Sequence, residues 1–171
     1  MSHLPPPSRP PKAGFADTGH DHRRCVENAL RRAEDLCRRR GRRLTPLRRR
    51  VLELIWTSHR PVGAYALLER LREEGGTPAP PTVYRTLDFL QEAGLVHRLA
   101  SLNAYAGCVQ PGRPHSAQFL ICAACHNLAE LADPQVHGAI VDSAVAAGFE
   151  VQQPTVEVVG LCPDCRPGAR S

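Results

Sequence analysis

His115-Ser-Ala-Gln-Phe-Leu-Ile-Cys122-Ala-Ala-Cys125-His-Asn-Leu-Ala-Glu130 carries one Cys-X-X-Cys pair, and Cys162-Pro-Asp-Cys165 carries a second. Each pair forms a tight turn that aims two sulfurs at one point, and two such turns supply the four thiolates of a single tetrahedral zinc. That shell leaves no position for water, which makes it structural rather than catalytic. The 36 residues between Cys125 and Cys162 exceed what a compact zinc ribbon needs. The excess accommodates a helix and a strand, and His115 and Glu130 remain as unclaimed ligand types beside the first pair.

Two other readings of the same cysteines fail. Cys122-Ala-Ala-Cys125-His126 matches the attachment pattern of c-type haem. Attachment happens outside the cytoplasm, though, and Met-Ser-His-Leu-Pro-Pro-Pro at the start lacks the apolar core of an export signal. A thiol-redox role needs a thioredoxin-like βαβ setting, which is missing, and neither reading explains the second pair. The expected compartment is the cytoplasm, where paired cysteines are metal ligands more often than disulfides. No run approaches membrane length, so no membrane partner is expected.

The chain has 171 residues and a formal charge of +5, unevenly spread. Residues 1–100 hold 19 basic and 11 acidic side chains, whereas residues 101–171 hold 3 and 6. A basic front half suggests a polyanion, most commonly nucleic acid. Arg outnumbers Lys 21 to 1, which reflects base composition but does not explain the asymmetry. Between residues 23 and 50 there are 12 Arg and three acids, which favours phosphate contact over a merely solvated face.

Residues 1–22 are Pro-rich without an apolar period and read as a disordered tail. Val26, Leu30, Ala33 and Leu36/Cys37 recur at helical spacing, and Gly41 ends that helix. Thr45-Pro46 caps a second, with Leu47, Val51, Leu54 and Ile55 on its core face. A third follows Gly63, and Pro81 opens a fourth whose stripe is Val83, Leu87 and Leu90. Tyr84, Arg85 and Asp88 project from its other side. Two β-like runs follow, at 95–99 and 103–108. Short helices closed by a small hairpin describe a winged helix-turn-helix, whose last helix enters the major groove. An Arg there can reach guanine bidentately.

Pro111-Gly112-Arg113-Pro114 reads as a hinge. Strands are expected at 116–122 and 127–131, then a helix capped by Asp133-Pro134, then a further apolar run into the second cysteine pair. The fold class is therefore α+β: an N-terminal winged-helix DNA-binding domain (23–108), a hinge (109–115) and a small α/β dimerisation domain (116–171) stapled by four cysteines. His97, Cys108, His115 and Glu130 are candidates for a second metal shell, neutral around a divalent ion and selective for zinc. Read singly, each is more often a packing or surface residue.

The segments Ala64-Tyr-Ala-Leu-Leu, Pro80-Pro-Thr-Val-Tyr-Arg-Thr-Leu-Asp-Phe-Leu90 and Gly94-Leu-Val-His97, with the cysteine pairs, closely resemble the ferric uptake regulator family and, within it, the zinc uptake regulators. The resemblance runs from about Arg24 to Cys165. It implies a homodimeric, non-enzymatic repressor without a small-molecule substrate, binding double-stranded operator DNA. It also implies two zinc ions per subunit: a structural one at Cys122, Cys125, Cys162 and Cys165, and a regulatory one at His97, Cys108, His115 and Glu130. DNA-reading positions match Tyr65, Tyr84 and Arg85. Iron- and peroxide-sensing relatives carry a His-rich run before the first knuckle, where only His115 stands here, and this argues against iron. Regulators sensing iron, manganese or peroxide are the alternatives, and more remotely a thiol-redox protein or a zinc-stapled module that binds no DNA.

Overall fold

The computed structural model describes residue 15 and residues 22–57, 60–112, 116–152 and 154–167. The tail expected at 1–22 lies almost wholly outside them, as does His115. Among the described residues, no helix is long and apolar enough to cross a membrane.

Helix α1 (His22–Arg39) buries Leu30, Ala33, Leu36 and Cys37, the stripe expected from their spacing. In α2 (Pro46–Trp56), Thr45 caps the N-terminus by accepting from the Arg48 amide, and Pro46 fills a position where no donor is needed. Val51, Leu52, Leu54 and Ile55 are its buried face. A two-residue strand, β1 (Val62–Gly63), precedes α3 (Ala64–Glu73), and α4 (Pro80–Glu92) follows after a turn. The wing is β2 (Val96–Leu99) and β3 (Ala104–Gly107), antiparallel, with β1 added on the outer side of β3. The wing hairpin is legible in the sequence; β1 is not, because two residues carry no period.

The arginine run does more for the fold than its composition suggests. Arg49 pairs with Glu34 of α1 at 2.9 Å, Arg50 with Glu53 at 2.7 Å and bidentately with Glu74, and Arg42 with Glu92 at 2.8 Å. The Arg48 guanidinium lies 3.5 Å from the Phe89 ring centroid. These side chains stitch α1, α2, α3 and α4 to one another. As partly exposed pairs each contributes about 0–1 kcal/mol, so their role is chiefly registration of the helices.

A second sheet orders β5 (Leu128–Leu131), β4 (Ala117–Cys122) and β6 (Thr155–Gly160), with β4 and β5 antiparallel and β4 and β6 parallel. The parallel pair requires a crossover, supplied by α5 (Pro134–Ala146). Asp133 caps α5, and buried Gln118 holds that cap in place by donating to the Asp133 carbonyl at 2.8 Å. α5 buries none of its residues in the single chain.

Two apolar clusters result among the described residues. The larger joins α1–α4 to the base of the wing. The smaller contains Leu99 and Ala106 of the wing together with Ala117, Phe119 and Ile121 of β4. The wing therefore packs on one face of the second sheet.

Trp56, at the end of α2, sets the position of β3. A Cβ at Gly107 would stand 2.3 Å from the Trp56 indole, so the strand can run this close only with glycine there.

Candidate metal centres and nucleic-acid face

The four-cysteine cluster forms where three strands converge. β4 ends at Cys122, β5 begins shortly after Cys125, and β6 ends shortly before Cys162. Each pair makes the expected turn: His126 N donates to the Cys122 carbonyl at 2.9 Å, and Cys165 N to the Cys162 carbonyl at 3.0 Å. His126 adopts φ 60°, which is the sharp reversal that brings the chain away from the sulfurs. The four Sγ atoms all lie within 4.8 Å of one another. None of the seven cysteines is in a disulfide.

Amides aimed at sulfur prepare this cluster for a cation. Hydrogen bonds from the backbone of Cys125 and Cys162 pull the Cys122 thiol down to about 6. The Cys162 amide donates to Cys122 Sγ at 3.4 Å. Cys165, hydrogen-bonded to the thiols of Cys162 and Cys125, is pushed up to about 12. Four soft donors around one point, one already acidic, suit zinc.

The second cluster joins the two sheets. His97 lies on β2 and Cys108 directly follows β3, while Glu130 lies on β5 of the other sheet. One ligand atom from each falls within 4.8 Å of the other two. His97 Nε2 is 3.2 Å from Glu130 Oε1, and the Val109 amide donates to Glu130 Oε2 at 3.0 Å. The His97 ring also meets Phe119 edge-on, with centroids 5.3 Å apart. The Cys108 amide donates to the Leu95 carbonyl at 2.9 Å, which fixes the thiol beside the wing. Burial, reinforced by the Glu130 charge, pushes that thiol up to about 12. A buried thiol, an imidazole and a carboxylate converging in this way fit zinc, with thiolate and carboxylate balancing its two charges. His97 also lines an open groove with Asp133 and His137, which gives solvent a way to the cluster. The structure brings together three of the four residues assigned from sequence; His115 lies outside the described residues.

The interface holds one contact that the sequence did not flag. Glu157 of β6 accepts from the Ala100 amide at 2.7 Å, the Ser101 amide at 3.1 Å and the Ser101 hydroxyl. Burial raises its pKa, but these three donors outweigh burial and hold the carboxyl below its ordinary value. An isolated acid in a strand offers no motif by which to find it.

In the helical part of the first unit, α3 and α4 carry exposed side chains suited to DNA. Tyr65, at the second position of α3, is 71% exposed, and Tyr84 is 41% exposed. Arg85 projects from the first turns of α4, its Nε donating to the Pro81 carbonyl at 3.3 Å. The buried stripe Val83, Thr86, Leu87 and Leu90 leaves Tyr84 and Arg85 to solvent. The N-terminal part of a recognition helix is where side chains meet base edges. The arginines of α2, by contrast, are mostly committed to acids of the same chain, so the basic run contributes less free charge than its count implies.

The model of the ferric uptake regulator family matches residues 39–159. The zinc uptake regulation protein of Escherichia coli (strain K12) is 38% identical over 141 residues, 82% of this chain and 82% of that protein. Among solved structures, a zinc uptake regulator complexed with zinc and DNA superposes with a TM-score of 0.76 at 38% identity, covering 80% of this chain and 92% of that one. Holo XcZur gives 0.73 at 48% identity, covering 79% and 94%. Its apo form gives 0.50 at 47% identity, covering 82% and 97%. With the family match spanning both sheets and all of the helices from α2 to α5, the chain belongs to the ferric uptake regulator family.

Proposed function

We propose that this chain is a zinc-responsive transcriptional repressor that binds operator DNA as a zinc-loaded homodimer and shuts off zinc-acquisition genes. The observation that carries the reading is the convergence of His97 and Cys108, from the wing, with Glu130, from the other sheet. A site divided between two units can couple metal occupancy to their relative orientation. The names of the relatives support the same reading: one is a zinc uptake regulation protein, another a zinc uptake regulator solved with zinc and DNA.

In this reading residues 23–108 form the DNA-binding domain, 109–115 the hinge and 116–171 the dimerisation domain. Two zinc ions bind per subunit. Cys122, Cys125, Cys162 and Cys165 hold the structural ion, and His97, Cys108, Glu130 and His115 hold the regulatory one, which supplies a bond between wing and dimerisation domain. Uncovered apolar residues on the dimerisation domain, Val145 at 65% and Phe149 at 67% exposure, suit a second copy of the chain. With both wings docked, the two α4 helices sit one turn of DNA apart, about 34 Å, to match a palindrome. Arg85 and Tyr84 then read bases while Tyr65 contacts the adjoining DNA. Shifting the wing from 1:99 to 99:1 docked takes about 5.5 kcal/mol of differential binding, within reach of a four-ligand zinc site. The protein works in the cytoplasm and performs no catalysis.

The test is a mobility-shift assay on genomic fragments first selected with zinc-loaded protein, with metal content measured before and after mild chelation. Removing one of two zinc ions per subunit is expected to abolish specific binding, and zinc but not iron or manganese should restore it. Binding that persists through chelation refutes the reading. In the same assay Arg85→Ala should lower affinity for the selected fragments by about 1–3 kcal/mol while leaving random-sequence binding nearly unchanged. Equal loss on both DNAs would remove Arg85 from the base-reading set.

A further inference from the structure

Three residues stand in one line across the second sheet. Phe119 of β4 is paired with Glu130 of β5 on one side and with Glu157 of β6 on the other. Residues opposite one another in register share a face, and this face is the one on which the wing sits. Glu130 engages the wing at His97 and at the Val109 amide. Phe119 meets the His97 ring. Glu157, at the far end, takes its three donors from Ala100 and Ser101, in the turn that follows β2. One rung of the sheet thus holds the wing at two ends, by the carboxylate of the candidate metal cluster and by a carboxylate that needs no metal.

We propose that Glu157 is a positioning residue for the regulatory site: by clasping the Ala100–Ser101 turn it keeps His97 and Cys108 docked against Glu130 and so raises the affinity of that site for zinc. Glu157 takes this role only on the functional reading above, as a residue that touches neither metal nor DNA. Three observations support it. The clasp joins the same two units as the cluster, through a different strand. Its donors lie three and four residues beyond His97, so the turn and the ligand move as one piece. Finally, the arrangement containing the clasp is closer to holo XcZur than to apo XcZur, at nearly equal identity. Where only docked molecules can complete a site, apparent affinity scales with the docked fraction, and a clasp that favours docking strengthens binding without supplying a ligand.

The test uses the full-chain dimer and zinc alone, titrated in competition with a chromogenic chelator, with hydrogen exchange of the wing amides followed in protein lacking the second ion. Glu157→Ala is expected to bind two zinc ions per subunit, with the weaker one loosened about five- to tenfold, the scale of a few charge-assisted hydrogen bonds discounted for exposure. The amides of Ala100 and Ser101 should exchange faster in the zinc-depleted variant, and Glu157→Gln, which keeps an acceptor oxygen, should lose less. Ser101→Ala should give a smaller effect that is not additive with Glu157→Ala, and it tests the same contact if Glu157→Ala fails to fold. Unchanged affinity of the second ion in both variants overturns the proposal. A parallel Cys108→Ser sample separates the two ideas: if it still holds two ions, the regulatory site itself is misassigned; if it holds one while Glu157→Ala binds as the native chain does, only the clasp fails.

Discussion

Cys162→Ser should cost the dimerisation domain its fold. The second sheet has little else to hold it: its apolar cluster on the wing side is Leu99, Ala106, Ala117, Phe119 and Ile121, two of which belong to the wing. α5 adds no buried residue. Structural zinc contributes about 10–16 kcal/mol of apparent binding energy, as much as the whole stability of an ordinary domain, about 5–15 kcal/mol. Cys122 and Cys162 are essentially inaccessible, so serine at 162 removes one of the four clustered sulfurs and leaves a hydroxyl in its place, while the amide at 162 still points at a Cys122 sulfur that has lost its partner. The expected result is a chain that sediments as monomer or aggregate, has lost a zinc ion, and shows helical signal from the N-terminal half only. A folded dimer of native thermal stability would refute a structural role for this cluster.

Cys108→Ser should have the opposite profile: fold and dimer kept, response lost. Serine is nearly isosteric, and the Cys108 amide keeps its bond to Leu95, so packing around Trp56 and Gly107 should survive. What disappears is the only thiolate among the described ligands of the second cluster. Removing an outer partner of a zinc ligand typically costs about 10–100-fold in metal affinity, so removing a ligand itself should cost at least about 100-fold. The variant is expected to retain one zinc ion per subunit, to melt as the native protein does, and to bind the selected DNA weakly whatever the free zinc. Unchanged zinc dependence of DNA binding would show that the sensing site lies elsewhere.

The cysteine pairs were legible because Cys-X-X-Cys encodes a turn as well as a ligand set, and the wing because two short β-like runs stand next to each other just after the glycine that ends the fourth helix. The helices of the first domain follow from period and punctuation: Thr45-Pro46, Gly41 and Gly94 mark their ends where the structure has them. His97, Cys108 and Glu130 could be named as candidates from residue type, but only family resemblance grouped them into one site, since their convergence depends on how β2 and β3 dock on β5, a contact between distant segments. Glu157 was invisible for a related reason. Its role depends on the parallel register of β6 against β4, which no local pattern states, and on a partner more than fifty residues away. The arginine run was read for its charge; its commitment to Glu34, Glu74 and Glu92 required knowing how the helices cross.

All three strands of the second sheet begin or end beside the cysteine cluster, and the carboxylates of Glu130 and Glu157 stand on two of them. On the proposed reading, the gauge is thus assembled out of the very substance it measures. A newly made chain would have to capture its permanent ion before it could respond to a passing one. Deprivation deep enough to empty the permanent seat would not register as a low reading: it would dismantle the instrument, and derepression in that extreme would come from lost protein rather than from an open hinge.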